Sequence, residues 1–116
     1  HRQVTGTGTA LPFAVEALEH QFDEMLPKFS KQLTRRPWQY FRDHFMCSFW
    51  FEKIAPKQLL ETIGVDNVMF ETDFPHPTSL YPGVQEHLKD VLGGYDHAIR
   101  KKVLQDNPVR LYNLPI

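Results

Sequence analysis

Two side chains in this sequence have the types and spacing to do chemistry together, Asp73 and His76. Both lie in the run Met69-Phe70-Glu71-Thr72-Asp73-Phe74-Pro75-His76-Pro77. A short apolar run ends in a carboxylate, and an imidazole follows within one turn. Such an Asp can bind a divalent metal through one oxygen, or take a proton from a metal-bound water. At the carboxyl end of a buried strand it would face a loop-built pocket, as catalytic residues of barrel enzymes do. Pro75 and Pro77 restrict the backbone on both sides of His76 and could hold its ring towards the same pocket. His76 then reads as a metal ligand, a hydrogen-bond partner of a ligand, or a substrate contact. Each residue also has a structural reading: Asp73 as the carboxylate of a turn, His76 as a loop imidazole with a local hydrogen bond. Spacing alone leaves both open. Glu71 would be an interior carboxylate, a group that needs a partner, and a salt bridge is the simpler account of it.

The other candidate groups carry less. His20, His44, His87 and His97 are scattered, with no H-x-H, HExxH or Cys/His cluster at zinc spacing. Cys47 sits in an apolar run and reads as an inert core thiol. The sequence contains no G-x-S-x-G, P-loop or G-x-G-x-x-G, and Gly6-Thr7-Gly8 alone means little.

The elements that must position Asp73 follow from periodicity. Residues 1–9 are polar and Gly/Thr-rich and read as a loop. From Leu11, apolar Phe13, Ala14, Leu18, Phe22 and Met25-Leu26 recur at three- and four-residue steps, predicting a helix with Pro12 in its first turn and Pro27 at its close. After basic connecting sequence over 28–36, Pro37 begins a short helix to Arg42. His44 to Phe51 is nearly continuously apolar and suits a strand covered on both faces, as in a parallel sheet. Lys57 to Ile63 fits a helix with Leu59, Leu60 and Ile63 inward, stopped by Gly64. A second strand runs from Val68 to Asp73. Alternation puts Met69, Glu71 and Asp73 on one face, with Val68, Phe70 and Thr72 under a helix layer. After a proline-rich loop come helices over Val84–Leu92, over His97 to about Gln105 with Asp96 as N-cap, and over Pro108–Tyr112 capped by Asp106 or Asn107. The class is α/β.

Composition bounds the function classes. The 116 residues suffice for one core but not for a complete (β/α)8 barrel, which needs about 250 residues. A net charge of -1 offers no basic field for nucleic acid. No apolar run approaches the ~18 residues of a membrane span. A single cysteine suits a reducing compartment, which makes cytoplasmic the expected location. The first residue is His1 rather than Met, which suggests a truncated or processed chain.

The run from Met69 to His76 closely resembles the last strand of the amidohydrolase-related family of metal-dependent hydrolases and decarboxylases. Flanking segments resemble it in the same order. Leu11-Pro12-Phe13 to Phe22 is similar to the helix after the family's sixth strand. Arg36-Pro37-Trp38-Gln39-Tyr40-Phe41 resembles its Pro-x-x-Tyr-Phe segment before the seventh, and Ile63-Gly64-Val65-Asp66-Asn67-Val68 its entry to the eighth. Asp106 to Tyr112 is similar to its closing Asn-x-x-Arg-Leu-Tyr helix. The resemblance implies a single incomplete domain over residues 1–116. It would be the C-terminal part of a TIM-type barrel, about two βα units with a leading helix. Asp73 would bind or adjoin one divalent metal, usually zinc, with His76 near the site. The parent enzyme would hydrolyse or decarboxylate a small carboxylate, lactone or amide-like substrate. The family's other metal ligands, an H-x-H pair and histidines from the fifth and sixth strands, would lie outside this sequence. The chain alone would then be inactive, completed by the remaining barrel strands or by self-association. The alternative is a non-catalytic module that dimerises through exposed strands, burying Phe45, Phe49, Trp50 and Phe51.

Overall fold

The computed structural model describes residues 2–4, 10–29 and 32–116. Three parallel strands form its centre: β1 (Arg2–Val4), β2 (Phe45–Phe49) and β3 (Val68–Phe70), in that spatial order. Between β1 and β2 run the helices α1 (Ala10–Phe29) and α2 (Pro37–His44), and between β2 and β3 runs α3 (Ala55–Thr62). After β3 follow α4 (Val84–Leu92), α5 (His97–Lys101), a π-helical turn (Lys102–Asp106) and α6 (Asn107–Tyr112). This is an α/β arrangement with a small parallel sheet, as the alternating periodicities predict.

The sheet has one strand more than expected. Arg2–Val4 falls in the segment read as a loop, yet pairs in register with Phe45, Met46 and Cys47. Three residues with two polar members give no periodicity to read, so backbone pairing with β2 decides their conformation. The rest of that loop reading, at residues 1 and 5–9, lies outside the described residues.

The core forms on one face of the sheet. Cys47, Phe49 and Val68 pack with Leu59, Leu60, Ile63, Leu92 and Val103 from the helices, and Phe70 joins at the edge. Phe49 meets Phe70 with ring centroids 5.5 Å apart. The aromatic run at β2 is therefore not the free apolar surface that a dimerising module would use. Phe49 is fully buried, Phe45 and Trp50 are half-buried, and only Phe51 is well exposed.

Local signals explain most boundaries. The Arg36 N–H donates to Gln39 Oε1 (3.0 Å), half of a capping box, with Pro37 in the first turn of α2. Gly64 ends α3 at φ +101, a conformation open to glycine and costly for other residues. Asp96 accepts from the Ile99 N–H (2.9 Å), the expected N-cap. Pro108 has no N–H to give, and just before it the Asn107 N–H reaches Lys102 O, five residues back; the stretch from α5 to α6 thus continues through a π turn.

Two readings of α1 and α2 need correction. The helix continues through Pro27 to Phe29. Much of its apolar stripe faces solvent, with Phe13 74% and Leu18 56% exposed, while Val15 anchors the helix. Periodicity says which residues share a face, not which neighbour covers it. Glu19 instead ties α1 to α2, accepting from the Trp38 N–H (2.8 Å) and from Arg36 (2.6 Å). His44 closes α2 rather than opening the strand.

Candidate functional site

The residues after β3 fold back on themselves. The Glu71 N–H extends the ladder to Phe49 O (2.9 Å), and then the chain leaves the sheet. Asp73 adopts φ 60, in the left-handed region that Asp tolerates better than most residues. The strand is thus shorter than the predicted Val68–Asp73. Asp73 is not placed by strand alternation with Met69 and Glu71, because its own backbone breaks that alternation. Met69 is buried, Glu71 half-buried, and Asp73 open to solvent.

Nested turns shape the loop. The His76 N–H donates to Asp73 O (2.8 Å), the Ser79 N–H to His76 O (2.9 Å), and the Leu80 N–H to Thr72 O (3.1 Å), closing residues 72–80 into one unit. The Phe74 N–H approaches Thr72 Oγ1 at 3.3 Å. This backbone brings Asp73 and His76 together, as their spacing suggested. His76 Nδ1 lies 3.4 Å from Asp73 Oδ2, with both side chains well exposed, at 62% and 41%. Thr78, which the sequence reading passed over, stands between them. Its Oγ1 is 2.8 Å from His76 Nδ1 and 3.3 Å from Asp73 Oδ2. Ser and Thr hydroxyls commonly bond to local loop groups, but no pattern in the sequence singles this one out.

This loop stands at the carboxyl end of the parallel strands. Phe74 and Tyr81, both exposed, meet edge to face at 5.4 Å on the same loop. The other described histidines do not join it: His20 is exposed on α1, His44 ends α2, His97 begins α5, and His87 is buried on α4 with its ring 6.3 Å from that of Phe70. Cys47 is fully buried and donates to Asn67 O (3.2 Å); burial pushes its thiol up to about 12, which makes it inert as a nucleophile. A hollow of ≈ 690 Å³ opens beside α1 and α2, lined by Glu19, Arg36 and Trp38, but it lacks the chemistry of the loop. Its guanidinium is already paired with Glu19 and Asp23, which hold Arg36 above its usual range.

Metal binding can be tested against the donors present. A catalytic zinc takes three protein ligands. Among the described residues, no group of three His, Cys, Asp or Glu side chains could hold a metal ion. Asp73 with His76 suits part of such a centre and does not make a complete one. Among the described residues, no helix is long and apolar enough to cross a membrane.

The opposite end of the sheet is built differently. Asn107, fully buried, donates through Nδ2 to Val65 O and Val68 O (both 2.7 Å), and Asn67 Nδ2 donates to Arg42 O (2.8 Å) and Phe45 O (2.7 Å). Arg110 donates to Asp66 O, and Lys102 pairs with Asp66 Oδ1 (2.6 Å). Asn107 was expected as a possible cap of α6. It serves instead as a staple between α6 and the start of β3, and the Asn-x-x-Arg sequence is structural at both of its polar positions.

Solved structures share this fold. The 5-carboxyvanillate decarboxylase of Sphingomonas paucimobilis superposes with a TM-score of 0.75 at 21% identity, covering 97% of this chain and 33% of that one. A dihydroxybenzoic acid decarboxylase of Polaromonas sp. JS666, solved with bound manganese and the inhibitor 2-nitroresorcinol, gives 0.73 at 22% identity, covering 98% and 34%. The 2,6-dihydroxybenzoate decarboxylase from Rhizobium gives 0.68 at 21% identity, covering 96% and 34%. The chain thus spans about a third of the length of the solved structures it matches. Residues 23–114 match the model of the amidohydrolase family, and with that match over most of its length the chain belongs to the amidohydrolase family.

Proposed function

We propose that this chain is the C-terminal third of a metal-dependent (β/α)8 enzyme that removes carbon dioxide from a small aromatic carboxylic acid. The observation that carries this reading is the Asp73–Thr78–His76 cluster on the loop after the last parallel strand, in a member of the amidohydrolase family. The substrate class rests on the neighbours, which are decarboxylases of hydroxylated or carboxylated benzoic acids. The exposed rings of Phe74 and Tyr81 beside Asp73 give an aromatic substrate something to pack against. Hydrolysis of a lactone or amide-like substrate is the second reading, favoured only by family membership.

In this reading residues 1–116 form one incomplete domain. Asp73 supplies one oxygen ligand, and the remaining ligands come from barrel strands outside these residues. A bound divalent cation, zinc or manganese, would polarise the oxygen atoms of the substrate. Asp73 orients, and His76 holds or passes a proton at Nε2. The net reaction breaks the bond between ring carbon and carboxylate, and a proton takes its place as carbon dioxide leaves. The described residues by themselves supply too few ligands for turnover. Completion by the rest of the barrel accounts for the side of each outer strand, β1 and β3, that no described strand pairs, more directly than a self-assembling module does.

The test uses the longer protein that supplies the remaining strands. Asp73→Asn should abolish carbon dioxide release from dihydroxybenzoates while the far-ultraviolet circular dichroism stays unchanged. Wild-type rates in that variant would sink the assignment. Lactone hydrolysis without decarboxylation would select the second reading.

A further inference from the structure

Three atoms of the loop form a closed triangle: Asp73 Oδ2, Thr78 Oγ1 and His76 Nδ1, with sides of 3.3, 2.8 and 3.4 Å. Proton counting limits how it can be wired. The Thr78 hydroxyl has a single proton, and both of its contacts are hydrogen bonds only when that proton goes to Asp73 Oδ2, because an ionised carboxylate accepts and does not donate. Oγ1 is then an acceptor on its other side, and the short 2.8 Å contact requires a proton on His76 Nδ1. The Thr78 backbone N–H also points at Nδ1, but at 3.5 Å it is the weaker contact. The neutral ring is thereby held with Nε2 bare, and Asp73 Oδ1 is the carboxylate oxygen these contacts leave for a cation.

We propose that Thr78 is a positioning residue of this site, its hydroxyl fixing the His76 tautomer and selecting which Asp73 oxygen faces outward. The inference rests on the functional reading above for its purpose, but not for its test. All three residues lie within a loop closed by its own backbone hydrogen bonds, so the wiring is present before metal or substrate arrives. Loops that bind ligands gain from such preorganisation, because less ordering remains to be done on binding.

The experiment is nitrogen NMR of the metal-free protein labelled with 15N-histidine, at a pH where the spectrum itself shows the ring neutral. His76→Gln assigns the signals. Wild type should show Nδ1 protonated and Nε2 bare. In Thr78→Val, of nearly the same shape, the ratio of the Nδ1–H to the Nε2–H form should fall about fivefold, the equilibrium worth of one ordinary hydrogen bond. Thr78→Ser should restore it, which a merely space-filling role would not. An unchanged ratio in Thr78→Val, with an amide spectrum showing an intact loop, would overturn the proposal and mean that Asp73 orients the ring directly. A mostly Nε2–H ring in wild type would overturn it as well. If Asp73→Asn leaves decarboxylation intact in the longer enzyme, the catalytic reading fails while the tautomer result stands. The two failures are therefore distinct.

Discussion

The two ends of the parallel sheet solve opposite problems. At the amino end, buried amides reach across the chain: Asn107 pins carbonyls about forty residues away in sequence, and Asn67 pins those of Arg42 and Phe45. At the carboxyl end, Asp73, Thr78 and His76 bond only within their own loop and stay open to water. The first end spends its polar groups on holding elements together. The second keeps a carboxylate and an imidazole available. Barrel enzymes divide labour in the same direction, with stability at the bottom of the strands and chemistry at the top.

Substitutions can break or sharpen this division. The largest effect belongs to the amino end. Asn107→Ala leaves one buried and one half-buried carbonyl without this donor and should cost about 3 kcal/mol, read as a shift in the urea midpoint at unchanged slope. A cost below about 0.5 kcal/mol would erase the contrast between the ends. Gly64→Ala meets no steric obstacle within 4 Å, so its cost is conformational, about 1–2 kcal/mol from the positive φ.

The Cys47 thiol gives a pH signature at the same end. Its folded pKa is raised to about 12 from 9.0, so the folded state keeps its proton while the unfolded state loses it. Stability from this group is complete below pH 9.0 and is lost as pH rises from there towards 12, by about 1 kcal/mol at pH 10. Cys47→Ala should remove that alkaline slope, and denaturation curves at pH 8 and 10 would show it. The smallest effect belongs to the carboxyl end. Asp73→Asn should leave stability unchanged, because Asn also tolerates φ 60, whereas Asp73→Ala should cost about 1 kcal/mol. Equal losses in both variants would mean that the charge, not the backbone, holds the loop.

Legibility in the sequence followed the same divide between local and remote causes. Gly64 as a helix stop and Asp96 as an N-cap were readable because each acts on its immediate neighbours. The α/β order and the core positions Leu59, Leu60 and Ile63 followed from periodicity. Asp73 and His76 were readable as a pair from their spacing; Thr78 was not, because a hydroxyl in a loop has no distinctive pattern until the loop is closed. The strand at Arg2–Val4 was missed because its conformation comes from pairing with β2, and periodicity left open which side of α1 faces outward, because no local rule names a helix's neighbour. Asn107 looked like a cap because its true partners, Val65 and Val68, are remote in sequence.

The hydrogen bond from the Leu80 N–H to Thr72 O makes the loop between them a cassette, its two ends a single bond apart. A cassette of this kind carries its own ruler. The spacing of carboxylate, hydroxyl and imidazole is written in the turns between Thr72 and Leu80, and is delivered intact to whatever strand end the cassette joins. The supporting strand is then free to drift in sequence, provided that it presents one anchored end to the loop.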